Sequence, residues 1–217
     1  MMKKAVLFAC AALLGVGAAF GGMFSEDPGE LTVAGQVFFP DSADCDLFKD
    51  GYGALVSYRE WFSFPWGAGL SLGVSQWQVD SDSDAFKYNQ LTDYDGDALL
   101  IPIGASLYFN LIDWDNWNLI LETGLQYVFV DANVTLYNSE VAVDESVKGT
   151  QDVGIDNAIL WNIGAEYEYM VAENLYVLGG AGYQLDVMKG DTEYAGRGVR
   201  DASFAGGYAR LGAKFLF

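Results

Sequence analysis

Two acidic runs, Asp80-Ser81-Asp82-Ser83-Asp84 and Asp93-Tyr94-Asp95-Gly96-Asp97, place a carboxylate at every second position. Oxygen donors at that density suit a hard cation such as calcium. The helical calcium-loop pattern fails, however. With Asp80 as the first position, the sixth is Ala85 and the twelfth is Leu91, where that loop needs Gly and Glu. Asp80, Asp82, Asp84, Asp93, Asp95 and Asp97 therefore form a weak divalent cluster, or else a solvated loop held extended by its own charge repulsion. A second set of charges is dispersed. Arg59, Glu122, Glu166, Arg210 and Lys214, with Glu168 beside them, interrupt stretches of alternating apolar and small residues. Charges on the enclosed face of a sheet are tolerated only when paired and hydrogen-bonded. The expected chemistry is an interior ion network in which Arg210 and Lys214 pair with Glu122 and Glu166, with Arg59 nearby. It would act as a polar plug or as a gate across a narrow lumen.

Catalytic chemistry finds little to use. The chain has no His, so it lacks the usual general base at neutral pH and the imidazole ligands common at zinc sites. No Ser or Asp spacing points to another mechanism, and no glycine loop cradles a phosphate. The net charge of -19 leaves no basic stripe for nucleic acid. The sequence reads as a non-enzyme that needs no cofactor.

The elements that must position these residues are strands. About eight alternating segments run at 31–40, 51–62, 66–79, 97–110, 117–131, 158–170, 175–188 and 204–217. Most reach the roughly 9–11 residues of a tilted membrane strand. Their connections alternate in length. Those at 63–65, 111–116 and 171–174 are short, whereas those at 41–50, 80–96, 132–157 and 189–203 are longer and acidic or Gly-rich. Val134-Thr135-Leu136-Tyr137 and Val141-Ala142-Val143 suggest that the third long loop continues as a hairpin. Successive strand residues face opposite ways. Over 97–110, Leu99, Ile101, Ile103, Ala105, Leu107 and Phe109 oppose Pro102, Gly104, Ser106, Tyr108 and Asn110. The second face is small and polar, as the cramped interior of an eight-stranded barrel requires. The first carries almost no charge in mid-strand, as suits lipid. Glu60 is the exception, on the apolar side near a strand end.

Aromatic residues gather near the short turns. Trp61, Phe62, Trp66, Phe109, Trp114, Trp117, Tyr167, Tyr169, Phe215 and Phe217 are expected to form one interfacial girdle, and Tyr52, Trp77, Phe129, Trp161 and Tyr183 the other. The N-terminus is basic at Lys3-Lys4, then apolar from Ala5 to Ala19, with small residues at Gly17-Ala18-Ala19. It reads as a secretory signal peptide over residues 1–19, with cleavage as late as 22. Cleavage at 19 removes two Lys and no acid, so the formal charge goes from -19 to -21, and of the two cysteines only Cys45 remains. Residues 20–30 would be a short periplasmic segment and 31–217 the barrel.

The last residues, Arg210-Leu211-Gly212-Ala213-Lys214-Phe215-Leu216-Phe217, resemble the C-terminal strand of bacterial outer-membrane β-barrels. The family pattern is polar, any, Gly, any, any, aromatic or apolar, any, aromatic, and Arg210, Gly212, Phe215 and Phe217 fill it. The mature chain as a whole resembles the small OmpA/OmpX-like outer-membrane β-barrel family. That resemblance implies an all-β, eight-stranded antiparallel up-and-down transmembrane β-barrel in the outer membrane of a Gram-negative bacterium. It implies outer-membrane lipid, lipopolysaccharide and the barrel assembly machinery as partners, the last reading the C-terminal strand. A host surface or extracellular ligand is left unnamed. The expected role is structural or surface-interacting, with acidic extracellular loops and a plugged polar interior. The alternative is a narrow conduit or ligand-binding barrel resembling the OmpW family, lined by Gly69, Ser71, Gly73, Ser75, Gly104 and Ser106.

Overall fold

A computed structural model describes residues 29–41, 47–80, 91–138, 150–194, 197–198 and 202–217. The expected signal peptide and most of the segment after it lie outside the described residues, as do Asp82, Asp84 and 141–143. The strands are β1 (Glu30–Pro40), β2 (Phe48–Ser63), β3 (Trp66–Val79), β4 (Leu91–Trp114), β5 (Trp117–Asn138), β6 (Thr150–Ile155), β7 (Ala158–Ala172), β8 (Leu175–Met188), β9 (Thr192–Tyr194), β10 (Arg197–Gly198) and β11 (Gly206–Leu216).

Eight of them close a ring in the order β1-β2-β3-β4-β5-β7-β8-β11. Every neighbouring pair is antiparallel, including the seam where Glu30 meets Leu216 and Pro40 meets Gly206. The ring leaves no edge strand of its own to template aggregation. Tight turns at 64–65, 115–116 and 173–174 mark one end. At the other, β4 and β5, of 24 and 22 residues, are about twice as long as a tilted membrane crossing needs. Their hairpin projects beyond the wall. There β6 pairs with residues 134–137 of β5, β9 with β6, and β10 with β9. The third long loop thus does extend β5, with 150–153 as the partner strand.

The wall sorts residues by parity. Val33, Leu70, Ile103, Leu107, Leu125 and Ile163 are exposed on the outer face. Single exposed apolar residues need no explanation, but a continuous belt of them does. The inner face has two levels. Toward the short turns it is charged. Toward the long loops it is apolar and aromatic, built from Phe38, Phe48, Trp77, Leu100, Val128, Leu160 and Phe204 among others. The expectation of a polar interior throughout is therefore corrected for the long-loop half. Two girdle assignments change as well. Trp77 is 1 % exposed and belongs to this inner core. Trp61 turns inward with Arg59, and its indole N–H donates to Glu30 Oε1 at 3.0 Å. In both cases strand parity overrides the preference of an indole for an interface.

Candidate functional site

The charged level is assembled from five strands. Glu30 comes from β1, Arg59 from β2, Glu122 from β5, Glu166 and Glu168 from β7, and Arg210 and Lys214 from β11. All seven side chains are buried. Arg59 donates through Nε to Glu30 Oε2 at 2.5 Å and through Nη2 to Glu168 Oε1 at 2.5 Å, and its Nη1 lies 3.6 Å from Glu166 Oε1. Arg210 Nη2 lies 2.5 Å from Glu122 Oε2 and 2.8 Å from Glu166 Oε2. Lys214 Nζ donates to Glu30 Oε1 at 3.2 Å and also to Glu168. In the ring order, β2 and β7 are separated by three strands on either side. The Arg59–Glu168 contact therefore crosses the full lumen.

Neighbours complete this level. The Arg59 guanidinium stands 5.0 Å from the centre of the Trp61 ring and 4.9 Å from that of Tyr108, and Lys214 Nζ lies 4.3 Å from the Tyr176 ring. Such contacts gain strength when the cation is desolvated. Glu122 Oε1 accepts from Ser106 at 3.1 Å and from Asn162 Nδ2 at 3.2 Å. Four carboxylates face three cations, and the pairing is dense enough to offset much of the desolvation cost.

The structure thus sets Arg210 against Glu122 and Glu166, as the sequence suggests, but gives Lys214 a different pair, Glu30 and Glu168. Glu30, expected in the segment before the barrel, is instead the first residue of β1. It shares parity with Thr32, Ala34 and Gln36 in β1, and that signal was available in the sequence.

The second level closes the lumen toward the long loops. Phe204 is fully buried, with its ring centre 5.5 Å from that of Phe48 and 5.8 Å from that of Trp77. Phe38 lies 5.4 Å from Trp77. Phe204 precedes β11, in the connecting segment Ala202–Ala205 that folds into the barrel. Asp186 of β8 holds this segment, accepting from the Phe204 N–H at 2.9 Å and from the Ser203 hydroxyl. Gln184 Nε2 donates to the Phe204 carbonyl at 2.5 Å.

The glycines of the expected conduit lining are covered, whereas Ser71 and Ser75 line a small cavity. A Cβ on Gly104 would lie 2.7 Å from Gln126 Cγ, and one on Gly69 would lie 3.1 Å from the Tyr108 ring. Side chains crowd Gly104, whereas at Gly69 the Tyr58 carbonyl, 2.3 Å from a Cβ there, crowds first. Glu60 has the parity of the outer face yet is buried there, and its carboxylate accepts from the Tyr58 hydroxyl.

The acidic loop looks different. Asp80 lies 3.4 Å from Lys49 Nζ, and Asp97 accepts from Gln76 Nε2 at 2.5 Å. Among the described residues no three His, Cys, Asp or Glu side chains converge on a metal-sized site. In the C-terminal strand, Arg210, Gly212 and Lys214 face the lumen while Phe215 and Phe217 are exposed. The Phe217 N–H donates to the Gly29 carbonyl at 3.1 Å.

A closed ring of eight antiparallel strands with an apolar outer belt and a filled lumen defines a class, the fold of the small eight-stranded outer-membrane β-barrels. Solved structures bear this out. The outer membrane protein OprG from Pseudomonas aeruginosa superposes with a TM-score of 0.62 at 14% identity, over 88% of this chain and 97% of that one. A major outer membrane protein from Thermus thermophilus gives 0.54 at 13%, over 87% and 99%. Neisserial surface protein A gives 0.51 at 12%, over 87% and 96%. Identities this low establish the fold alone. No protein-family model matches the sequence, and no curated protein does.

Proposed function

We propose that this chain is an outer-membrane β-barrel of a Gram-negative bacterium whose lumen is shut and whose working surface is its long-loop end, in a structural or surface-interaction role. One observation carries the reading. Ion pairs span the lumen from Arg59 to Glu168, and a second seal of Phe48, Trp77 and Phe204 stands above them. A narrow solute path would have to break both. The apolar outer belt supports a lipid environment, since a mid-strand Leu such as Leu211, 74 % exposed, is poorly placed against water. In this reading residues 1–19 are removed on export, and the assembly machinery reads Arg210, Gly212, Phe215 and Phe217. The acidic loops then lie beside lipopolysaccharide, where a divalent cation would bridge like charges.

The conduit reading keeps one specific point in its favour. Phe204 belongs to a connecting segment rather than to the wall, so the outer seal is the more displaceable of the two. Single-channel recording of the refolded mature protein in a planar bilayer separates the readings. The expected result is silence from wild type and from Phe204→Ala alike, because the ion-pair level remains. Discrete openings in folded wild-type protein would transfer the assignment to a conduit.

A further inference from the structure

Between the two seals lies a small cavity whose polar lining includes Gln36, Gln126, Asn162, Gln184, Tyr208 and Arg210, with Phe38 and Trp77 toward the aromatic seal. Three of these residues each leave an atom with no hydrogen-bond partner in the protein: Nε of Arg210, the hydroxyl of Tyr208 and Oδ1 of Asn162. All three are more than nine-tenths buried. Contrast Arg59, whose Nε is engaged directly by Glu30. The Tyr208 ring lies over Gly164 and Gly182, where a Cβ would come within 2.4 and 2.5 Å of its hydroxyl. Tyr208 stands opposite Gly182, and Gly182 opposite Gly164, so the bare backbone lets the ring lie along the inner wall with its hydroxyl over β7. A buried donor left unpaired is costly, and the three residues that carry these atoms all line the one cavity.

We propose that this cavity is a built hydration site, in which bound water accepts from Arg210 Nε and bridges to Tyr208 and Asn162. The size of the space selects the ligand. It measures about 30 Å³, room for about two waters, since each needs roughly 10–15 Å³ of such volume and two to four polar partners. It is too small for a sugar, an amino acid or an aromatic solute. The lining offers both donors and acceptors without an unopposed charge, because the Arg210 guanidinium is already matched by Glu122 and Glu166. That arrangement favours water over an anion. The site would join the two seals into one hydrogen-bonded unit, since Gln184 lines the cavity and also holds the Phe204 carbonyl.

The test uses isotope-labelled mature protein refolded in detergent micelles and reads the arginine Nε–H resonances, assigned through Arg210→Lys and Arg59→Lys. A long-lived magnetisation-transfer peak to water is expected at Arg210 Nε–H and not at Arg59 Nε–H. It should weaken in Tyr208→Phe, which removes one partner while leaving the ion pairs in place. A crystal structure at a resolution that shows water should place density within hydrogen-bond reach of Arg210 Nε. An Arg210 Nε–H bonded to a protein acceptor, with neither water transfer nor density, overturns the proposal. So does an Nε–H that exchanges as fast as an exposed one, because the cavity would then be open solvent.

Discussion

Arg59 illustrates what a single residue does in this lumen. It touches three carboxylates and two aromatic rings, so truncating it strands several buried groups at once. Arg59→Ala should lower stability in detergent by about 3–5 kcal/mol, the cost of breaking a buried ion pair from one side. Lys49→Ala removes only an exposed contact with Asp80 and should cost less than about 1 kcal/mol. Urea titrations followed by tryptophan fluorescence would show both, and equal effects would mean that the network is not buried as described. Arg59→Lys should fail to restore stability, because an ammonium cannot reproduce the directed fork that reaches Glu30 and Glu168 together. At this scale the face of a residue was legible, while its partners were legible for Arg210 and not for Lys214. Parity places Arg59, Glu122, Glu166, Arg210 and Lys214 on one side of their strands. Which acid meets Lys214 depends on how the ring is sheared on closure, and no local spacing encodes that. Trp61 and Trp77 mislead for a different reason. Their chemistry suggests an interface, whereas their parity with Arg59 and Ser75 already turns them inward.

The strands themselves were the most readable elements, because lipid on one side and a narrow lumen on the other impose a strict two-residue period. Each of the eight expected segments contains a wall strand, although Phe204 and Ala205 of the last belong to the connection before β11. The segment Ala202–Ala205 was not recognised as a plug, since an in-turned connection carries no periodicity. The small sheet of β6, β9 and β10 joins pieces of chain far apart in sequence, and only the folded molecule shows that pairing. Two expected outcomes belong here. Phe204→Ala should leave the wall intact yet cost about 3–5 kcal/mol through the void it opens among Phe48 and Trp77, read as a lower unfolding midpoint with unchanged strand content by circular dichroism. Gly212→Val should impair closure, because its Cβ would stand 2.3 Å from the Val33 carbonyl across the seam. The fraction of compact, heat-modifiable protein on an unheated gel should fall, and a fraction equal to wild type would show that the seam has slack.

For the molecule as a whole, fold class was legible because topology, alternation and the C-terminal strand all agree. The division of the lumen was less so. Its apolar half is built by Phe38, Phe48, Trp77 and Phe204, which look in sequence like residues meant for lipid. Salt offers a test of the complete lumen. Buried pairs are screened far less than exposed ones, so the unfolding midpoint should change little between about 0.05 and 0.5 M sodium chloride, where surface pairs are progressively screened. A steep decline would mean that water and ions already reach the network.

The distribution of the charges along the chain has a consequence for how the barrel is completed. Glu30 sits on the first strand and Arg210 and Lys214 on the last, while Glu122, Glu166 and Glu168 lie between. A sheet still open at the seam has no cation from the last strand to offer Glu30, and β1 and β11 bring Glu30 and Lys214 together only when they join. Joining one residue out of step would turn Arg210 and Lys214 to the other side of the wall, leaving Arg59 to face Glu30, Glu166 and Glu168 alone, removing the Arg210 partner of Glu122 and setting two cations against lipid. The network therefore favours closure in a register that keeps Arg210 and Lys214 on the lumen side, where the acids of the other strands wait for them.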